Sequence, residues 1–195
     1  TMTFGGDEIA RYLDLEINMH ATNMDLVFNE FKDGFVGIRT HPDLRLTASP
    51  KHGVNKVFGR ALNSEGTEGK KIWGKRADWV HYFGMIKGKE AGIAFFSHPS
   101  NLTRKGEKSW WHARDYGLIS ANPFAPEKIG GDGEHIVKKG QSLKLRYRLI
   151  FHRGSQKDAQ IEKRFTEYAQ DPGHPTSIMP GHPGFPEDYL SKKSK

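Results

Sequence analysis

Alternation of apolar and polar side chains is the feature of this 195-residue chain that most restricts its fold. Residues 13–20, LDLEINMH, place apolar side chains at every odd position and polar ones at every even position. Residues 142–152, SLKLRYRLIFH, repeat the pattern, with Lys144, Arg146 and Arg148 predicted on a solvated face. Successive side chains of a strand point to opposite faces, so this period predicts half-buried strands. We expect a mainly β protein.

The remaining strands are predicted from shorter apolar segments, at 34–40, 77–86, 92–98 and 116–124. The sequence GKEAG at 88–92 is typical of a hairpin turn, so the second and third of these segments should pair with each other. Residues 41–76 are polar and rich in glycine, and are expected to hold one or two short strands. Together these segments predict an antiparallel β-sandwich.

One segment has the pattern of a helix. In SQKDAQIEKRFTEYAQ, residues 155–170, Ser155 is a suitable N-cap, and Ile161, Phe165 and Tyr168 are spaced to share one face. The chain from 172 onward is rich in proline and ends in lysines. We therefore predict a single domain over 1–171, with one C-terminal helix, followed by an extended tail over 172–195.

Composition and charge narrow the classes of function. The chain has no cysteine, which excludes disulfides, thiolate metal sites and cysteine nucleophiles. Its apolar runs fall far short of the ~20 residues of a membrane-spanning helix. The net charge of +7 could favour nucleic acid, but the basic clusters are scattered along the chain, so nucleic acid is not the favoured partner. The first residues carry no signal-peptide pattern.

The segment 98–117, HPSNLTRKGEKSWWHARDYG, concentrates polar and aromatic chemistry between two predicted strands. Loops between strands are where a β-scaffold usually displays its binding groups. Trp110 and Trp111 are adjacent and must face opposite ways, so we expect one of them to be exposed and Trp111 to stack on a sugar ring. The candidate substrate-binding residues are Asn101, Trp111, His112, Arg114, Tyr116 and Asn122.

Two interpretations of this segment stay open. In the first, His98 and Asp115 are an acid–base pair, because imidazole titrates near neutrality and a carboxylate can share the proton transfer. In the second, these side chains satisfy backbone groups, and the tryptophans plug the end of the core. Histidines occur at 81, 98, 112 and 152, but none has a short metal-binding spacing, so no metal and no cofactor is predicted.

Three segments carry a resemblance to a known family: RADWVHYFGMIKGKEAGIAFFSHPSN, WWHARDYGLISANPF and KKGQSLKLRYRLIFHRG. In this order, over about Leu13 to Asp171, they resemble the C-terminal part of a bacterial family of unknown function labelled "methane oxygenase PmoA". That label is misleading, because the enzyme subunit it names is a bundle of membrane-spanning helices. Two departures are Ser97, where the family is expected to have aspartate, and LTRKGEKSW, which replaces a shorter segment.

The resemblance implies a β-sandwich similar to the galactose-mutarotase-like sugar-binding fold, in a periplasmic or secreted protein. A histidine-rich N-terminal portion expected of the family is absent here, so either a second chain or a cleaved segment is expected to supply it. The leading hypothesis is a carbohydrate-directed protein that performs cofactor-independent epimerisation or elimination on a sugar or oxidised sugar. The alternative is a non-catalytic carbohydrate-binding or assembly module. Whether the chain is an enzyme is left open by its sequence.

Overall fold

The computed structural model describes residues 1–104 and 106–173. Twelve strands are found there: β1 (Met2–Gly6), β2 (Ala10–His20), β3 (Leu26–Phe28), β4 (Val36–Arg39), β5 (Arg60–Asn63), β6 (Arg76–Ala77), β7 (Trp79–Ile86), β8 (Lys89–Ser97), β9 (Ser109–Ala113), β10 (Leu118–Ala121), β11 (His135–Val137) and β12 (Ser142–Arg153). Two short helices follow, α1 (Gln156–Ala159) and α2 (Ile161–Gln170). Single 3-10 turns lie at Pro42–Leu44, Pro50–His52, Gly69–Ile72 and Glu127–Ile129.

The strands form a six-stranded sheet, β1-β2-β12-β8-β7-β5, a four-stranded sheet, β4-β10-β9-β6, and a two-stranded ribbon, β11-β3. Every described strand pair is antiparallel. The predicted mainly β, antiparallel architecture with a C-terminal helix is therefore confirmed. The longest pairing is that of β2 with β12, the two segments with the clearest period-two alternation.

The main core lies between the two larger sheets. Val80, Phe95 and Leu145 of the six-stranded sheet pack in one cluster with Trp111 and Ile119 of the four-stranded sheet. The predicted pairing of β7 with β8 is confirmed, and their turn consists of Lys87 and Gly88, both with positive φ. β8 therefore begins earlier than the sequence predicted.

The outer face of the six-stranded sheet carries a second core, covered by the helices. Ser155 caps α1 with a capping box to Asp158, as expected of this position. The predicted single helix is wrong in one respect, because Gln160 adopts a left-handed conformation (φ 45°) and divides it. Ala159 and Ile161 lie ~200° apart on a continuous helix and could not both face the sheet. The break allows both to be buried there.

Arg146 and Arg148 also lie on this outer face, and the prediction that they are solvated is wrong. Arg146 is only 5% exposed. The cause is the neighbouring strand, where Glu16 pairs with Arg146 and Asp14 with Arg148 in the β2–β12 register. The carboxylates neutralise the guanidinium groups, so α2 can pack over them.

No helix among the described residues has the length and apolar character needed to cross a membrane. The predicted extended tail over 172–195 lies, from residue 174 onward, outside the described residues.

Candidate functional site

A tight turn at Arg114–Gly117 joins β9 to β10 at the rim of the four-stranded sheet. The Arg114 N–H donates to Leu118 O at 2.8 Å, and the Gly117 N–H donates to Arg114 O at 2.9 Å. Gly117 has a φ of 87°, and a Cβ there would lie 2.4 Å from Thr40 Oγ1. Only glycine fits this position, and the turn consequently presents the side chains of Arg114, Asp115 and Tyr116 together.

Two aromatic rings position the Arg114 guanidinium group. Its central carbon lies 5.8 Å from the centre of the Trp73 ring and 5.6 Å from that of Tyr116. Within the described part of the chain, the guanidinium forms no hydrogen bond and no ion pair. Cation–π contacts hold the charge in place while the N–H donors stay available. Arg114 is therefore prepared to bind an acceptor from outside the chain.

Asp115 is the acidic side chain beside this arginine. Its Oδ2 accepts a hydrogen bond from Thr47 Oγ1 at 3.0 Å and lies 3.5 Å from Lys70 Nζ. A pocket of about 260 Å³ is lined by Lys70, Trp73, Ala113, Arg114 and Asp115, and we call it the Arg114 pocket. It combines an aromatic ring, a free guanidinium and a carboxylate.

Trp73 is the aromatic residue that the sequence analysis missed. Its side chain is 36% exposed, and its Nε1–H donates to His112 Nδ1 at 3.4 Å. The sequence did contain a hint of its role: this tryptophan lies in a polar, glycine-rich segment that has few apolar neighbours to bury it. His112 itself is buried, with its Nε2 3.8 Å from Asp33. Burial, and secondarily the charge of Arg114, lowers the pKa of His112, so it acts as a neutral support for Trp73.

The expectation of an exposed tryptophan at 110–111 is wrong, because neither residue has exposed surface. Trp111 faces the main core and donates its Nε1–H to Ala77 O at 2.9 Å. Trp110 points the other way, where its Nε1–H donates to Ile129 O at 3.2 Å and its ring packs edge-on against Trp73. The opposite orientations are as predicted, but chain segments cover both faces of β9. Trp111 therefore offers no ring face to a sugar.

His98 lies on the other sheet, at the end of β8. Its Nε2 is 2.9 Å from an Arg146 Nη and its Nδ1 is 2.7 Å from Ser100 Oγ. Because arginine only donates, Nε2 accepts from Arg146, and Nδ1 accepts the Ser100 backbone N–H at 3.1 Å. Burial, followed by the charge of Arg146, lowers the pKa of His98. None of these partners contacts Asp115, so the structure does not bring the predicted acid–base pair together.

The two predicted asparagines bind mainly backbone groups. Asn101 donates to Ser97 Oγ at 2.8 Å and to Arg146 O at 2.7 Å, and its Oδ1 accepts from Arg146 N at 2.6 Å. Asn122 donates to Phe31 O at 2.6 Å and accepts from Phe124 N at 3.0 Å. Both are almost fully buried. Their amides extend the sheets and fix loops, so neither reaches the Arg114 pocket.

A second, smaller cavity of about 160 Å³ lies between β2, β12 and α2. Its arginines are compensated by acids: Arg148 forms a two-point pair with Asp14 at 2.5 and 2.6 Å, and Arg146 Nε lies 3.2 Å from Glu16. The Tyr168 ring of α2 packs over Arg148, with its centre 4.6 Å away. These contacts dock α2 on the sheet and leave little charge for a ligand.

A metal centre has no support among residues 1–104 and 106–173, which contain no group of three or more histidine or acidic side chains placed to hold an ion.

A family model described as a family of unknown function, DUF6807, matches residues 1–166. The predicted resemblance to a family of unknown function is confirmed to that extent, and nothing supports the methane-oxygenase label. Neither a search of curated proteins nor a search of solved structures found a match.

Proposed function

The chain belongs to DUF6807, a family of unknown function, and from the geometry of its Arg114 pocket we propose that it binds a carbohydrate-derived small molecule there. The single observation that carries this proposal is the arrangement of Trp73, Arg114 and Asp115 around one opening. A tryptophan face packs on the C–H face of a sugar ring, and guanidinium and carboxylate groups bind its hydroxyls. The pocket volume, about 260 Å³, suits one small molecule better than a polymer.

The non-catalytic form of the proposal is better supported than the enzymatic one. Acid–base chemistry needs a titratable group whose reacting atom faces the substrate. His98 lies on the other sheet, and His112 is buried with both ring nitrogens directed at Trp73 and Asp33. Asp115 alone among the predicted acid–base residues lines the pocket. Epimerisation or elimination by His98 and Asp115 is therefore the less favoured candidate.

Two finer predictions depend on the sequence resemblance and belong to this proposal. We propose that the two facing sheets form a sandwich of the galactose-mutarotase-like kind, and that the protein acts in the periplasm or outside the cell. Two antiparallel sheets that share one core are compatible with the first. A second chain that completes the site is likewise a proposal, supported by the pocket's position at a sheet rim.

The test uses the four tryptophan indole N–H signals in a ¹⁵N-correlation NMR spectrum. Neutral and acidic sugars are titrated into the protein, and Trp73→Phe assigns its signal. We expect the Trp73 signal to shift, while Trp79, Trp110 and Trp111, each at most 5% exposed, shift little. Trp73→Ala should abolish binding, and Phe151→Ala, which removes an exposed ring from β12, should not.

The same samples distinguish the alternatives. Equal binding by wild type and Trp73→Ala would overturn the proposed site, provided that the other three indole signals show the variant to be folded. New sugar resonances that grow during incubation would replace the binding role with the enzymatic one.

A further inference from the structure

The unpaired arginines around the Arg114–Gly117 turn have a consequence for the ligand. Arg39 of β4 lies with its guanidinium carbon 5.1 Å from the centre of the same Tyr116 ring that Arg114 contacts. Tyr116 therefore lies against two cations. Neither arginine forms an ion pair with any described carboxylate, whereas Arg76, Arg146 and Arg148 all do.

A third arginine runs along the same turn. A Cβ placed on Gly117 would lie 3.2 Å from Arg45 Cγ, and the neighbouring Leu46 N–H donates to Asp115 O at 2.8 Å. The Arg45 Nε is buried, and no described atom accepts a hydrogen bond from it. Arg45 does not line the Arg114 pocket, but it adds a third positive charge beside the turn.

The charges lining the Arg114 pocket determine which ligand charge fits it. Lys70 is matched by Asp115 at 3.5 Å, which leaves the positive charge of Arg114 uncompensated. One guanidinium group binds one carboxylate through two parallel hydrogen bonds. A dianionic phosphate would suit the site less well, because it would also face the carboxylate of Asp115.

We propose that the ligand of the Arg114 pocket is a sugar acid, with its carboxylate bound by Arg114 and its ring against Trp73. This inference rests on the proposed function and adds the chemical class of the ligand. Arg39 and Arg45 flank the turn and contribute positive potential, which attracts anions and weakens as salt is added.

The experiment compares matched sugars by isothermal titration calorimetry: galacturonate against galactose, and glucuronate against glucose. We expect each acid to bind roughly ten-fold or more tightly than its neutral partner, since hydrogen bonds to charged groups are worth about that factor. Arg114→Gln should abolish the preference. The matched control is Arg60→Gln, because Arg60 also lies over an aromatic ring, Phe83 at 5.2 Å, but outside the pocket.

Each other outcome has a distinct meaning. Equal binding of acid and neutral sugar overturns the inference and leaves the proposed function standing, whereas binding of neither overturns both. Tighter binding of galactose 6-phosphate than of galacturonate replaces the carboxylate with a phosphoryl group. Binding of acetate as tight as that of galacturonate refutes the sugar, and an acid preference that survives Arg114→Gln refutes the assignment to Arg114.

Discussion

The buried pair of histidines under α1 and α2 makes the stability of this protein depend on pH. His81 and His152 approach each other with their Nε2 atoms 2.8 Å apart, and His81 has no exposed surface. The His152 Nδ1 lies 3.4 Å from Arg153 O, whereas the His81 Nδ1 has no described partner. The consistent arrangement is that His81 Nε2–H donates to Nε2 of a neutral His152, and the burial of His81 disfavours a charge on its ring as well.

Burial, and secondarily the repulsion that a protonated His152 would exert, lowers the pKa of His81 from 6.5 to about 3. At His81 the unfolded chain therefore binds up to one proton more than the folded chain at pH values between about 3 and 6.5. Stability is fully present above pH 6.5 and falls as the pH falls, by up to about 1.4 kcal/mol per pH unit. From pH 7 to pH 5, His81 alone should cost about 2 kcal/mol of unfolding free energy.

The assay is urea unfolding followed by tryptophan fluorescence at pH 7, 6 and 5. His81→Gln keeps a donor and an acceptor but cannot titrate, so its loss of stability between pH 7 and 5 should be about 2 kcal/mol smaller than that of the wild type. His135→Gln, which removes a histidine from the short β11 strand, serves as the control and should behave as wild type. An identical pH dependence in wild type and His81→Gln would refute the reasoning.

Three further substitutions test the assignment of structural roles, all by urea unfolding at neutral pH. Asn101→Ala removes three buried hydrogen bonds and should lower the free energy of unfolding by about 3 kcal/mol. The control Asn55→Ala, at an exposed position, should cost far less, and equal effects would contradict the structural role of Asn101. Arg148→Met leaves the Asp14 carboxylate without its partner and should lower the free energy of unfolding by about 3 kcal/mol. Adding Asp14→Asn to the same chain should restore part of this loss, and no recovery would argue against the pair. Trp111→Ala should cost about 3–5 kcal/mol and Trp73→Ala less than half of that, and the reverse order would show that the burial of these rings has been misjudged.

The strands were predictable because their signal is local. The side chains alternate over residues 13–20 of β2 and 142–149 of β12, and the six-stranded sheet buries the apolar face of both segments as the period requires. The burial of the polar face was harder to predict, although the charge pattern of the two strands indicated it. Acids at 14 and 16 and arginines at 146 and 148 alternate with the same period, so antiparallel pairing of the two strands could have matched them.

The candidate site was predictable only in part, because exposure depends on distant segments. The sequence analysis included Arg114, Asp115 and Tyr116 among the candidate site residues, but it began a strand at Tyr116, whereas the structure forms a turn over 114–117 and begins β10 at Leu118. It could not show that the Trp73 segment and the Glu127–Ile129 turn lie against Trp110. Nor could it show that His98 and Asp115 belong to different sheets, since nearness along the chain does not imply contact across a core.

The central claim is that the Arg114 pocket binds a sugar acid, and a crystal structure of the protein soaked with galacturonate tests it most directly. The account predicts electron density for the sugar in this pocket, with the carboxylate within hydrogen-bonding distance of the Arg114 guanidinium and the ring against Trp73. Density for the sugar in the cavity between β2, β12 and α2, with the Arg114 pocket empty, would contradict it.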